Sequence, residues 1–263
     1  MQQLDALVLA GAPPENGDPL ALAEGVSRKV LIDIHGHPML WWVLQALRGS
    51  GRVHRMIVVG GKPEDVTGVE GPIEWMSSRG KLLDNVLAGL ERLIVLNPQA
   101  ELALVVSGDM PLLTPEMVNY FIDACSREEA DLYYPIVERS VMEQRFPGSA
   151  RTFVPLRDGR FCGGDMIMVR VSVALTQEKL IRDLLERRKR PWQQARLIGM
   201  RALIKFLLRR LSLAEAEELG SRALGIRGKA IVSPYAELGM DVDKPHQLTI
   251  VRQALAARRA EVA

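Results

Sequence analysis

Short, almost unbroken apolar runs that each stop at a glycine are what most constrain the fold of this chain. Leu4 to Leu9 ends at Ala10-Gly11, Met56 to Val59 at Gly60-Gly61, and Leu102-Ala103-Leu104-Val105-Val106 at Ser107-Gly108-Asp109. Runs this short, with little polar alternation, suit strands covered on both faces, as in a parallel sheet between helices. Helical spacing fills the gaps. Met39, Leu40, Val43, Leu44 and Leu47 form one apolar stripe, and a second helix is predicted from about Lys81 to Leu96. Thr114-Pro115-Glu116 reads as an N-cap followed by proline at the first position of a helix reaching about Arg127. The alternation predicts an α/β fold with a mostly parallel central sheet flanked by helices. In such sheets ligands gather beyond the carboxyl ends of the strands, which selects the loops after Leu9, Val59 and Val106.

Beyond Asp131 the pieces are shorter: Leu132 to Val137, Arg151 to Leu156 and Met166 to Val169, with a turn at Arg157-Asp158-Gly159. Residues from about 177 to 224 read as a basic helical insertion in the C-terminal third, carrying Arg187, Arg188, Lys189, Arg190, Arg196, Arg201, Lys205, Arg209 and Arg210. The 263 residues, 48% of them hydrophobic, fit one domain with a first half at 1–130 and a second at 131–263. Cys125 and Cys162 stand far apart with no CxxC partner, which speaks against a disulfide scaffold and a thiolate metal site and for a reducing cytoplasm. The N-terminal residues carry no leader pattern, and no apolar run approaches the roughly 20 residues that span a bilayer. The formal charge of +2 gives no nucleic-acid signal, so no nucleic-acid partner is expected. His35, His37, His54 and His246 show no metal-ligand spacing.

Three segments are placed to do chemistry. In the first loop, backbone N–H groups of a glycine-containing turn can approach phosphate oxygens, and Lys29 adds a mobile charge at the rim, with Arg28 as its substitute. Asp109 directly follows a buried strand, which holds a carboxylate rigidly enough to bind Mg²⁺. Asp241 and Asp243 are separated by one residue, so in an extended segment both point the same way, although Asp243 could instead cap the helix from Pro245.

Leu9-Ala10-Gly11, Lys29 and Gly36-His37-Pro38-Met39-Leu40 together resemble the nucleotidyltransferases related to molybdenum-cofactor guanylyltransferase and their sugar-phosphate relatives. Ser107-Gly108-Asp109-Met110-Pro111 resembles the Gly-Asp-x-Pro of that family, and Gly239 to Leu248 its Asp-x-Asp-x-Pro-x-x-Leu element. The resemblance implies a Rossmann-like fold of the GT-A type and a catalytic set of Lys29, Asp109 and Asp243. It implies Mg²⁺ held by Asp109, Asp243 and Asp241, and a nucleoside triphosphate bound by Leu9, Ala10, Gly11, Ala12, Lys29, Gly80, Asn85 and Gly108. Phe161-Cys162-Gly163-Gly164-Asp165 resembles a Gly-Gly-Asn segment, which makes Gly163, Gly164 and Asp165 the implied acceptor contacts, with Asp165 replacing the amide. The implied reaction moves a nucleoside monophosphate onto a phosphorylated small molecule and releases pyrophosphate.

The first loop departs from the pattern. Many relatives have a second glycine and Arg-Met-Gly where this chain has Ala12 and Pro13-Pro14-Glu15-Asn16-Gly17-Asp18. The alternative is an idle nucleotide-binding scaffold of the same fold, against which the joint retention of Lys29, Asp109 and Asp243 argues. In the basic segment, Arg201, Lys205 and Arg209 share a helical face, while Leu203, Ile204, Leu207, Leu208 and Leu211 form a stripe. That pattern fits packing on the main domain or on a second subunit of a homodimer. It also fits peripheral contact of residues 177–211 with anionic lipid at the inner membrane face.

Overall fold

The computed structural model describes residues 3–11, 17–178, 182 and 205–262. Four parallel strands form one side of the central sheet: β1 (Leu4–Leu9), β4 (Val53–Val59), β5 (Ile73–Met76) and β6 (Leu102–Ser107). The order continues from β6 through β10 (Met166–Arg170) to β7 (Leu132–Glu138), with β10 antiparallel to both. The strand β9 (Gly159–Gly163) pairs antiparallel with β7 and with β8 (Val154–Leu156), while β11 (Gly228–Ser233) lies parallel to β7. A separate hairpin joins β2 (Asp33–Ile34) and β3 (His37–Pro38).

Helices cover both faces. Ala6 and Val8 of β1 pack into a large core with Leu40, Leu44 and Leu47 of α2 (Met39–Gly49) and Phe121 of α4 (Pro115–Cys125). Leu248, Val251 and Leu255 of the C-terminal helix (Pro245–Val262) join the same core. On the opposite face, Leu7 meets Leu90 and Leu93 of α3 (Leu82–Leu96), together with Ile57, Val105 and Val171. Successive β1 residues therefore enter different cores, which is why the strand is apolar without alternation. The mostly parallel, helix-flanked sheet is the architecture that the apolar runs predict.

Bounds moved at the edges. The helix from Thr114 stops at Cys125, and the structure adds β5, β9 and β11, which the sequence pattern did not single out. Most of the predicted basic insertion lies outside the described residues. The part that is described includes a helix at Leu213–Leu224, whose N-cap Ser212 accepts from Glu215 N while the Glu215 side chain accepts from Ser212 N. Among the described residues, no helix is long and apolar enough to cross a membrane.

Candidate active site

The site lies where β1 and β6 end side by side. Gly108 N donates to Leu9 O at 2.9 Å, and a Cβ at Gly108 would stand 3.0 Å from that same oxygen, so glycine is what lets the two loops meet. Ser107 N donates to Asp165 O, and Val242 N donates to Asp109 O at 3.1 Å. Backbone hydrogen bonds thus draw the β6 loop, the β9–β10 turn and the 241–243 segment to one point.

Lys29, from a short 3-10 turn (Lys29–Leu31), sits at that point. Its Nζ lies 2.7 Å from Asp109 Oδ2 and also pairs with Asp243 Oδ1. Burial alone would lower the ammonium pKa, but attraction to Asp109 and hydrogen bonds to Asp109 and Asp243 hold it well above the ordinary lysine range. Asp109 Oδ1 accepts a hydrogen bond from Ser107 Oγ at 2.5 Å, fixing the carboxylate. Asp109, Asp241 and Asp243 each offer a carboxylate oxygen, all within 4.8 Å of one another. The Asp243 side chain meets Lys29, while the Asp243 and Lys244 N–H groups donate to Gln247 Oε1, both at 2.9 Å.

The acidic group extends further. Asp241 is 7% exposed and faces Arg151 as an ion pair, yet its Oδ1 accepts no hydrogen bond. The two observations agree if the charges are close but the N–H vectors are misaligned. Burial, then repulsion from Asp165, raises the Asp241 carboxyl, and the Arg151 charge opposes that shift. Burial and repulsion from Asp109 raise Asp165 as well. Asp243 moves the other way: burial opposes ionisation, but hydrogen bonds from Lys29 and Asp241, with the charges of Lys29 and Arg151, together outweigh it. An all-oxygen donor set with an unsatisfied buried oxygen fits a hard divalent cation such as Mg²⁺, with Asp109, Asp241 and Asp243 as the residues to hold it.

A cavity of about 110 Å³ opens beside Lys29, lined by Leu9, Ala10, Gly11, Asp18, Lys29 and Asp109 among others. Asp18 also caps the helix that follows, its Oδ1 accepting from Leu20 N and Ala21 N. Arg28, the substitute for Lys29, is committed elsewhere, pairing with Asp65 and donating to Gly60 O. Ala12 lies outside the described residues.

Asn85 is buried, and its Oδ1 accepts from Arg79 N at 2.6 Å, so its carboxamide shapes the Ser78–Gly80 loop. Gly80 is exposed at positive φ in that loop. Gly163 packs beneath the Tyr134 hydroxyl and Gly164 against the Leu238 carbonyl, a close fit that brings Asp165 up to the other carboxylates. Arg151 and Tyr134 were not found from sequence. No spacing marks them, because their neighbours Asp241, Cys162 and Asp165 come from distant segments.

A Rossmann-like α/β fold with a lysine and clustered carboxylates at the strand ends fits the nucleotidyltransferase class. A family profile described as the MobA-like NTP transferase domain matches residues 22–191, and the chain belongs to that family. A hypothetical transferase from Thermus thermophilus is 38% identical with a TM-score of 0.81, covering 94% of this chain and 100% of that one. A CMP:2-keto-3-deoxy-manno-octonic acid synthetase complexed with CTP shares the fold at a TM-score of 0.58 and 16% identity, covering 97% of this chain and 100% of its own. The 3-deoxy-manno-octulosonate cytidylyltransferase of Acidobacterium capsulatum is 31% identical over 94 residues, which is 34% of this chain and only 36% of that relative.

Proposed function

We propose that this protein transfers a nucleoside monophosphate from a nucleoside triphosphate to a phosphorylated small molecule, releasing pyrophosphate with Mg²⁺ as cofactor. The observation that carries this reading is Lys29 bridging Asp109 and Asp243 at the rim of the cavity by Gly11. In this reading residues 1–130 hold the nucleotide: Leu9, Ala10, Gly11 and Lys29 line the cavity, Ala12 follows them in sequence, Gly108 bonds Leu9, and Asn85 shapes the loop that carries Gly80. Residues 131–263 hold the acceptor near Gly163, Gly164 and Asp165. CTP is the first nucleotide to test, because two of the similar proteins are named for CTP or cytidylyl transfer.

The chemistry needs no protein nucleophile. An oxygen of the acceptor phosphate attacks the α-phosphorus in line; one P–O bond forms, and the α–β bridging bond breaks with its electron pair leaving on pyrophosphate. An ionised phosphate gives up no proton, so the residues act by position and charge. Lys29 stays an ammonium and meets the triphosphate, while Ser107 locks the Asp109 carboxylate. When bound, Mg²⁺ would supply charge neutralisation on the phosphates, with Asp109, Asp241 and Asp243 to hold it.

Pyrophosphate release with each ribonucleoside triphosphate, Mg²⁺ and a panel of sugar, alcohol and sugar-acid phosphates tests the reading. Release requiring one triphosphate, one acceptor and Mg²⁺ supports it; nucleotide binding without turnover on any acceptor favours the idle scaffold.

A second reading concerns the basic segment. Phe206, Leu207 and Leu208 are exposed beside Lys205, Arg209 and Arg210, an apolar and cationic combination suited to an anionic lipid surface. Co-sedimentation with vesicles that ignores anionic lipid content would refute it, and a concentration-dependent dimer would favour a subunit contact instead.

A further inference from the structure

The acidic cluster carries two counter-charges, and only one of them, Lys29, lines the cavity beside Gly11. Lys29 holds Asp109 and Asp243; Arg151 holds Asp241. Arg151 is rigidly placed. Ala150 before it adopts a positive φ of 53°, a strained conformation for a residue with a Cβ. The strain is held by Ser149, 2% exposed, whose carbonyl accepts from Gln247 Nε2 at 3.4 Å and pairs with His246 Nε2 at 3.2 Å. The same Gln247 carboxamide accepts from Asp243 N and Lys244 N. One buried glutamine therefore ties the Ser149 carbonyl, two residues before Arg151, to the backbone of Asp243. The guanidinium sits among Asp241, Asp165, Cys162 and Tyr134, on the side of the cluster formed by Gly163 and Gly164. Its pairing with Asp241 leaves the Asp241 Oδ1 without a hydrogen bond, so the contact is a charge pair that a better-aligned partner can replace.

Resting on the transferase reading above, we propose that Arg151 receives the anionic group of the acceptor, exchanging Asp241 for it when a divalent ion takes over that carboxylate. Four carboxylates, Asp109, Asp165, Asp241 and Asp243, meet only Lys29 and Arg151 as counter-charges in the cluster contacts described. An anionic acceptor would be repelled from this side unless a cation turns toward it, and a guanidinium matches phosphate or carboxylate in a two-pronged hydrogen bond. Metal and acceptor anion then favour each other, because each prefers the arrangement in which Arg151 has left Asp241.

The test needs no turnover, so it fails independently of the transferase reading. Mn²⁺ affinity is measured by electron paramagnetic resonance on the full chain, alone and with methyl phosphate or acetate, for wild type, Arg151→Met and Arg151→Lys. Methyl phosphate is expected to tighten Mn²⁺ binding to wild type by about tenfold, a usual size of coupling. In Arg151→Met that tightening disappears while Mn²⁺ alone binds at least as well as in wild type; Arg151→Lys, the variant closer in charge, retains part of it. Tightening by acetate instead identifies a carboxylate as the anion. Equal tightening in Arg151→Met would mean that the anion meets the metal alone, and no tightening in wild type would mean that there is no exchange. Weaker Mn²⁺ binding in a folded Arg151→Met, with or without anion, would make Arg151 a mere support for Asp241. Each of these last three results overturns the proposal.

Discussion

Replacing Lys29 by methionine keeps the length of the side chain and removes the charge that ties the site together. At an effective dielectric of about 20, the 2.7 Å contact with Asp109 corresponds to about 6 kcal/mol of attraction. Two carboxylate charges 4.8 Å apart, the outer limit within the triad, repel by about 3.5 kcal/mol at the same dielectric. Much of the attraction is offset by desolvating the ammonium, and the Asp243 carboxylate is 55% exposed and partly screened by water. Removing one partner of a largely buried pair then leaves a net loss of about 3 kcal/mol. For a chain of this size that is a fall in melting temperature of roughly 6 to 12 °C without divalent metal. Saturating Mg²⁺ should return more stability to Lys29→Met than it adds to wild type, because the ion meets carboxylates that have lost their counter-charge. Calorimetric melting of both proteins with and without Mg²⁺ checks this. An unchanged melting temperature, or an equal gain from Mg²⁺ in both proteins, would refute the argument that Lys29 is what balances Asp109 and Asp243.

Asp109→Ala should lower turnover by on the order of a hundredfold or more, the scale of losing one well-placed electrostatic group, and near-normal turnover at saturating Mg²⁺ would remove Asp109 from the metal set. Gly60→Ala should destabilise by about 2 to 4 kcal/mol in chemical denaturation, because Gly60 has a φ of 89° and a Cβ there would strike the Gly11 carbonyl. Asp131 is held below the usual carboxylate range: burial opposes this, but the Arg227 N–H and the Arg170 guanidinium outweigh burial. Its stabilisation is therefore present above the unfolded pKa near 4 and fades as pH falls through the lower folded value, so Asp131→Asn should flatten the acid limb of the melting profile. Burial pushes the Cys125 thiol up to about 12, leaving it on the order of a thousandfold less thiolate at pH 8 than an ordinary cysteine. Its stabilisation is complete below about pH 8.5 and is lost as pH rises from there toward the folded value, and thiol alkylation should become fast only on unfolding.

What the sequence alone determined is what local pattern can carry. β1, β4 and β6 were legible because both of their faces are covered, so Leu7 and its neighbours Ala6 and Val8 are all apolar although they enter different cores. The Gly-Asp after β6 and the Asp-x-Asp before the last helix were legible as motifs, and Lys29 through the loop that it closes. β11, reading Gly-Lys-Ala-Ile-Val-Ser, carried no such pattern, since it owes its place to pairing with β7. Only the tertiary structure decided which charges meet. Lys29 lies 214 positions from Asp243, and that pairing rests on turns and backbone hydrogen bonds between loops with no common periodicity. The same holds for Arg151: nothing around it in sequence marks a binding residue, and it joins the site by pairing with Asp241 from a distant segment. Hydrophobic periodicity is a property of neighbouring residues, whereas an electrostatic site is a property of distances that only the packed chain sets.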